Sequence, residues 1–306
     1  MRAYFYNKAG AASSVLNYGD FPSPIPKPGE VRVKLTVSGI NPTDCKRRQS
    51  GRELGKFDYI IPNNDGAGVI EAVGDKVDPA RVGQRVWLFG AQANRPFGTA
   101  AEFCVVPDAY AIPLPDEASF VEGACLGVPA VTAHRGLFGS GQITGLTVLI
   151  SGGTGRVGRY TLQMAKKAGA LVISTAGSVE KCVEMKDLGA DYVFNYKTDN
   201  IESAVLEITN GKGVDRMVDV EFGANVELAP KLIKSNGHLT AYGSDAIPIP
   251  KMPFYDFMFK NITIQAFSIF GMPEKAKVAA FKYINQMLET GSLDHRIDNH
   301  YSFDEM

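Results

Sequence analysis

Metal-ligand spacing is missing from this chain of 306 residues. Its four cysteines, Cys45, Cys104, Cys125 and Cys182, are scattered with no CxxC pair, which argues against a disulfide framework or a cysteine-rich zinc site. The four histidines, His134, His238, His295 and His300, show no HExxH spacing, and each reads as a surface or packing histidine. No charge dominates either. Lys and Arg total 32 against 33 Asp and Glu, a formal net charge of −1, so nothing global draws nucleic acid or an anionic membrane. No run approaches the roughly 18 apolar residues that cross a bilayer. The opening MRAYFYNKAG lacks the apolar segment of a secretory signal, and a cytoplasmic location is the expectation. Internal repeats and low-complexity linkers are absent as well.

What is present fits an α/β protein. The length exceeds that of most single cores, and 45% hydrophobic residues with 32 glycines suit a sheet-rich chain with many turns. The most informative segment is VLISGGTGRVG, Val148 to Gly158. Val148, Leu149 and Ile150 suit a strand buried on both faces. Gly152 permits a tight turn, Gly155 lets backbone approach a pyrophosphate, and Gly158 lets the next helix, about Val157 to Ala168, pack close. That helix would aim its free N–H groups at phosphates. Glycines at this spacing also occur in ordinary turns; the strand before and the helix after favour the dinucleotide reading.

Nucleotide preference is read one strand later. LVISTA, Leu171 to Ala176, ends without the acid that binds a ribose 2′-hydroxyl in NAD-preferring proteins, and Gly177, Ser178 and Lys181 follow. A small hydroxyl and a cation suit a 2′-phosphate, which favours NADPH over NADH. The competing reading makes Lys181 a solvated helix residue and Ser178 merely its N-cap. Glu180 lies nearby, on the helix rather than at the strand tip.

The character of the chain changes near residue 125. Runs such as EVRVKLTVSGI and AGVIEAVG, separated by proline and glycine clusters, read as a β-rich, barrel-like domain over 1–125. From Leu146, strand and helix patterns alternate through TVLIS, RYTLQMAKKAG, LVISTA, VEKCVEMKDLG and YVFNY, which implies a doubly wound parallel sheet over 126–268. It continues through VDRMVDV, a helix around Asn225 to Ile233, the HLTAYGS strand and NITIQAFSIF. Pro273 to Glu289 reads as a helix within a return segment, 269–306.

GINPTDCKRRQSG, DGAGVIEAVGDKV, GVPAVTAHRGL, VLISGGTGRVG, TAGSVEKCVEMKDLGADYVFNY and GHLTAYGS together resemble the zinc-independent medium-chain dehydrogenase/reductases of the quinone oxidoreductase, or zeta-crystallin, type. The resemblance implies a GroES-like catalytic domain, a Rossmann domain inserted into it, and an active site in the cleft between them. It implies homodimers formed through edge strands of the cofactor domain, with NITIQAFSIF a candidate. It also implies one further helix and strand beyond SFDEM, so a truncated catalytic domain with an unpaired edge is expected.

Carried over residue by residue, the resemblance gives Thr154, Gly155, Arg156 and Val157 to the pyrophosphate, with Arg156 standing where glycine is commoner. It gives Gly177, Lys181 and Tyr196 to the adenosine ribose and its 2′-phosphate; Tyr196 as plain packing is the alternative. Asn225, Gly243 and Ser244 fall on the inner wall of the cofactor site. Phe267, Ser268 and Ile269 fall beside the nicotinamide carboxamide, and Thr132 on the nicotinamide side, where a helix-interior hydroxyl is the plain reading.

GINPTD, Gly39 to Asp44, and NNDG, Asn63 to Gly66, offer no soft metal ligands where zinc-using relatives bind their metal. A substrate reduced there without Lewis-acid help must itself be electrophilic, which points to quinones and α,β-unsaturated carbonyl compounds. The candidate catalytic residues are Asn41, an orienting amide or a turn-former before Pro42, and Lys46, which with Arg47 and Arg48 either attracts anions or forms a solvated face. Two further readings stay open: an enoyl-thioester reductase, and a binding protein that retains NADPH.

Overall fold

Period-two alternation sets the first sheet. In β3 (Glu30–Gly39), Val31 and Val33 are fully buried while Lys34 is exposed, as expected of a strand with one face on a core. The computed structural model describes all 306 residues. They divide into two compact units, Met1–Val128 with Phe281–Met306, and Pro129–Ala280. The second division between the units lies inside the Glu274–Glu289 helix.

In the first unit, β1 (Arg2–Phe5) and β2 (Asn17–Asp20) form an antiparallel pair. The main sheet joins β3 to β4 (Asp65–Val73), β5 (Arg85–Leu88), β6 (Phe103–Pro107) and β7 (Ala111–Pro113) in the antiparallel order β6-β3-β4-β5-β7. Val31, Val33, Ile70, Val86, Leu88, Cys104 and Val106 form its core. Burial pushes the Cys104 thiol up to about 12, and all four cysteines are free thiols.

The second unit is a six-stranded parallel sheet. Its strands are β8 (Thr147–Ile150), β9 (Leu171–Ala176), β10 (Tyr192–Asn195), β11 (Val214–Asp219), β12 (Ile233–Ala241) and β13 (Thr263–Ala266). Their order is β10-β9-β8-β11-β12-β13. Val148, Leu149 and Ile150 are all buried, as a strand covered on both faces requires. Leu149, Ile173, Met217 and Leu239 pack in one core cluster. Arg216, also buried, donates through its two terminal nitrogens to the carbonyls of Leu137, Ser140 and Gly141 at a helix end, while its Nε has no partner.

Two sequence expectations change here. The helix expected over Asn225 to Ile233 is two short helices, Phe222–Asn225 and Ala229–Leu232, with Pro230 in the first turn of the second. Pro230 has no N–H to continue a helix from the first segment. The strand in NITIQAFSIF ends at Ala266, and Ile269–Gly271 form a 3-10 turn closed by the Gly271 N–H on the Ser268 carbonyl. No helix is long and apolar enough to cross a membrane.

Candidate active site

The parallel sheet gathers the sequence-chosen residues at one edge. Following the C-terminal ends of its strands come Ser151 to Gly155 after β8, Gly177 to Lys181 after β9 and Tyr196 after β10. Asn225 comes after β11, Gly243 and Ser244 after β12, and Phe267 to Ile269 after β13. Successive strands run outward from β8 to β10 in one direction and from β11 to β13 in the other, so the order reverses between β8 and β11. A doubly wound sheet binds ligands in the crevice at that reversal.

The turn after β8 is built for close approach. Gly152 has φ +63°, a left-handed conformation that glycine adopts without strain, and its carbonyl accepts from the Gly155 N–H at 3.0 Å. A Cβ at Gly158 would lie 2.4 Å from the Gly152 oxygen and 2.8 Å from the Gly153 Cα, so only glycine lets the Arg156–Lys167 helix sit on the loop. Gly155 is its N-cap, and no side chain caps that terminus. A helix N-terminus without a side-chain cap suits an anion such as a pyrophosphate. Thr154 is half-buried and Arg156 exposed beside this turn, with Val157 half-buried.

At the tip of β9 the chain assembles a second group. Pairing of β10 with β9 brings the Tyr196 N–H to the Ala176 carbonyl at 3.0 Å. A Cβ on Gly177 would be 2.7 Å from the Tyr196 hydroxyl, so the glycine admits the ring, which stays 56% exposed. The Ser178 hydroxyl accepts from the Lys181 N–H at 3.4 Å and caps the Val179–Asp187 helix. Glu180 lies in the same first turn, and the nearby Ser178 hydroxyl lowers its pKa. Lys181 is exposed.

The wall between β8 and β11 contains a residue that the sequence reading missed. Asp219, fully buried at the end of β11, accepts on Oδ1 from the Ser151 hydroxyl, from Asn225 Nδ2 at 2.8 Å and from the Glu221 N–H at 3.1 Å. Its Oδ2 has no hydrogen-bond partner, and burial raises its pKa above the usual carboxylate range. Ser151 in turn accepts from the Val220 N–H at 3.0 Å, tying the glycine turn to the switch point. Burial, then the Asp219 charge, raises the pKa of Tyr242. The detectable signal was an acid at the C-terminal end of an apolar strand, but its meaning depends on which strands are neighbours.

The remaining wall residues are held by the backbone. The Gly243 carbonyl accepts from the Phe222 N–H at 2.9 Å. The Ser244 hydroxyl accepts from the Gly223 N–H at 2.9 Å and donates to the Ile247 carbonyl at 2.7 Å, so it braces its loop. Phe267 donates its N–H to the Ala241 carbonyl at 3.1 Å, Ser268 opens the 3-10 turn, and Ile269 is buried. Thr132 is buried within the Gly127–Phe138 helix.

In the first unit, Asn41 is the N-cap of the Pro42–Ser50 helix and is only 5% exposed. Its amide donates to Asp65 at 2.7 Å, and its N–H donates to Asp44 at 2.8 Å. Asn64 donates to Asp44 at 2.6 Å, and the Val128 N–H reaches both Asp65 oxygens at 2.8 and 2.9 Å. Burial raises the pKa of both acids, and the Asp44 charge pushes Asp65 further, well above its ordinary value. The basic run is not a single face. Lys46 is exposed, but Arg47 is buried and donates to Gln92 at 2.8 Å, while Arg48 reaches the Gly10 carbonyl at 3.3 Å. A helix turns about 100° per residue, so three successive side chains cannot share one direction.

No group of three or more His, Cys, Asp and Glu side chains is placed to hold a metal ion. His134 packs on Phe138 with ring centroids 4.9 Å apart, and burial lowers its pKa to about 4.

Comparison with known proteins gives this geometry its family. Residues 27–116 match the alcohol dehydrogenase GroES-like domain and residues 157–285 the zinc-binding dehydrogenase family. A quinone oxidoreductase of Mus musculus is 33% identical over 272 residues, covering 88% of this chain and 80% of that protein. The solved quinone oxidoreductase of Pseudomonas syringae superposes with a TM-score of 0.85 at 27% identity, over 97% of this chain and 90% of the other. A mycobacterial protein solved in complex with NADPH superposes with a TM-score of 0.85 at 25% identity, over 99% of this chain and 93% of the other. With a GroES-like antiparallel sheet, a Rossmann-type parallel sheet and these relatives, the chain belongs to the quinone oxidoreductase family of medium-chain dehydrogenase/reductases.

Proposed function

We propose that this oxidoreductase is an NADPH-dependent, metal-free reductase of quinones and other α,β-unsaturated carbonyl compounds. The observation that carries the reading is the row of groups beyond the C-terminal ends of the parallel strands. There the Arg156–Lys167 helix, with no side-chain cap, and the Ser178–Lys181 pair support the reading, because a helix N-terminus suits a pyrophosphate and a hydroxyl beside a cation suits a 2′-phosphate. The steric closeness of Gly158 to the glycine turn fits such a cofactor, because the backbone itself forms the cradle.

When bound, the reduced nicotinamide supplies a hydride to an electrophilic carbon. The chain's own part is to bind and orient. The turn from Gly152 through Thr154, Gly155, Arg156 and Val157 holds the pyrophosphate, and Gly177, Ser178, Lys181 and Tyr196 hold the adenosine end. Asn225, Gly243 and Ser244 line the wall, with Thr132 and the Phe267–Ile269 segment on the nicotinamide side. In the first unit, Asn41 is held rigidly by Asp65 and orients substrate, and Lys46 draws anionic groups toward its helix. On this reading the acceptor is activated by its own conjugation, which is why quinones and α,β-unsaturated carbonyl compounds are its substrates.

The fluorescence of reduced nicotinamide, titrated with NADPH and NADH and followed by addition of 9,10-phenanthrenequinone, tests the proposal. Tight NADPH binding with quinone-dependent oxidation is expected, and no oxidation of a crotonyl thioester. Binding without quinone turnover would overturn the reductase reading.

The same reading includes a homodimer through the β13 edge. The Phe254–Phe259 helix just before that strand exposes Phe254, Tyr255 and Phe259, the last at 76%, and Ile249 stands 92% exposed in the preceding loop. An apolar surface beside an open strand edge needs cover. Sedimentation at micromolar concentration is expected to show a dimer that F259D dissociates, and a monomeric wild-type chain would refute it.

A further inference from the structure

Three hydrogen-bond donors converge on one oxygen at the end of β11. Asp219 Oδ1 accepts from the Ser151 hydroxyl, from the Glu221 N–H at 3.1 Å and from Asn225 Nδ2 at 2.8 Å, while Oδ2 is buried without a partner. Ser151 begins the glycine turn after β8, and Asn225 stands on the wall after β11. This meeting point fixes which way the Asn225 amide faces. The Ser151 oxygen already accepts from the Val220 N–H, so its proton goes to Asp219. A carboxylate oxygen crowded by donors can only accept, and a protonated Asp219 would carry its hydrogen on the empty Oδ2. The nitrogen of Asn225 therefore turns to Asp219 and its oxygen away. Asn225 is half-buried, and that oxygen takes no hydrogen bond from the protein.

We infer that Asp219 is a positioning residue for the nicotinamide half of the dinucleotide, locking the Asn225 amide so that its oxygen accepts from a ribose hydroxyl. The inference rests on the reading above that Asn225 lines the cofactor wall, and deepens it. An outward amide oxygen selects among the groups a dinucleotide carries. Ionised phosphate offers only acceptors, whereas a ribose hydroxyl can donate. Strand order selects the ribose. On the cofactor reading the adenosine end lies beyond β9 and β10, on one side of β8; Asn225 follows β11 on the other side, where the nicotinamide ribose falls. Because Ser151 and Asn225 share one acceptor oxygen, the glycine turn and the hydroxyl acceptor are held in one register. A neutral hydrogen bond of this kind changes affinity about three- to tenfold.

Calorimetric titrations of the full chain without any acceptor test the inference, using NADPH and adenosine 2′,5′-bisphosphate, which has the adenosine end but no nicotinamide ribose. Wild type, N225A, D219N, D219A and the D219A/N225A double variant are compared, each with its urea midpoint. N225A is expected to weaken NADPH about three- to tenfold and to leave the bisphosphate unchanged. D219N keeps an oxygen where the three donors meet, so both affinities should stay within about twofold of wild type, although the new buried amide nitrogen lowers the midpoint. In D219A the amide is released, and adding N225A should cost NADPH less than about twofold more. Equal losses for both ligands in N225A would overturn the inference while the cofactor reading stands. So would a D219N loss as large as that of N225A, because charge rather than amide orientation would then be the cause. An N225A effect as large in D219A as in wild type would also overturn it. If wild type binds neither ligand, the cofactor reading fails and this inference fails with it.

Discussion

Adding one methyl group at Gly158 is expected to uncouple the glycine turn from its helix with limited damage to the fold. The new Cβ would lie 2.4 Å from the Gly152 carbonyl oxygen and 2.8 Å from the Gly153 Cα, both backbone atoms that cannot rotate away. Ordinary separations for such atoms are about 3.5 Å, so helix and turn must part by about 1 Å. Overpacking of this kind costs about 1–3 kcal/mol. Alanine regains about 1 kcal/mol over glycine inside a helix, which leaves a net loss of roughly 0–2 kcal/mol. Binding should suffer more, because the displaced N–H groups are those offered to the pyrophosphate. Losing one hydrogen bond to a charged group, about 1.5–3 kcal/mol, weakens affinity about ten- to hundredfold. Gly155→Ala is the control: its φ of −67° suits alanine, and the nearest atom to its Cβ is the Gly152 oxygen at 3.3 Å. It should unfold within about 1 kcal/mol of wild type. Urea unfolding and NADPH titration of the purified chains give both quantities. A G158A protein with wild-type NADPH affinity would refute the reasoning, and so would a stability loss above about 4 kcal/mol, since binding would then fail through unfolding.

Lys181→Ala should weaken NADPH binding about tenfold and leave NADH nearly unchanged if, as proposed, the lysine serves the 2′-phosphate that only NADPH carries; equal losses for both in the same titration would remove Lys181 from the site. Asp65 makes a pH prediction. Its folded-state pKa is raised well above the ordinary value by burial and the Asp44 charge, so as pH rises from about 4 the unfolded chain releases this proton first. The stability linked to the protonated form is complete below that pH and is lost as pH climbs through the folded-state value. Asp65→Asn cannot ionise, so its urea midpoint relative to wild type should improve with rising pH, and parallel pH profiles would contradict this.

The parallel sheet was legible because strands buried on both faces leave unbroken apolar runs: Val148 to Ile150 and Val172 to Ile173 could be seen without any knowledge of their neighbours. The glycine turn was legible for a related reason, since turn, cradle and helix lie in one continuous segment. Misreadings came where apolar content was not the deciding factor. The stretch from Asn225 to Ile233 has helical composition, but Pro230 starts a new helix there instead of extending the old one. In NITIQAFSIF the apolar residues continue past Ala266, yet Ile269 is buried from a 3-10 turn rather than from a strand. Lys46, Arg47 and Arg48 read as one basic run, and helix geometry sent Arg47 inward to Gln92.

Asp219 and Asn41 show what a linear reading loses at a site. Asp219 meets Ser151 across 68 residues only because β11 lies beside β8, and that adjacency follows from the strand order rather than from any local pattern. Once the order is known, the residue explains itself: an acid at the reversal point, buried and bonded by Ser151 and Asn225, links the phosphate turn to the wall of the crevice. Asn41 was visible as a polar residue before a proline, with two readings that nothing in the sequence separates. Its partners separate them in part. An amide that donates to a buried carboxylate at 2.7 Å has one donor position already committed, so whatever Asn41 contributes depends on how firmly Asp65 holds it. Asp65 is in turn fixed by the N–H of Val128 at the start of a helix, whose dipole favours the negative charge that burial opposes. Protonation of Asp65 would change the acceptor that holds the Asn41 amide. A pH-dependent change in the KM for quinone that Asp65→Asn abolishes, with cofactor affinity unchanged, is the result this coupling requires, and a KM independent of pH in both proteins would refute it.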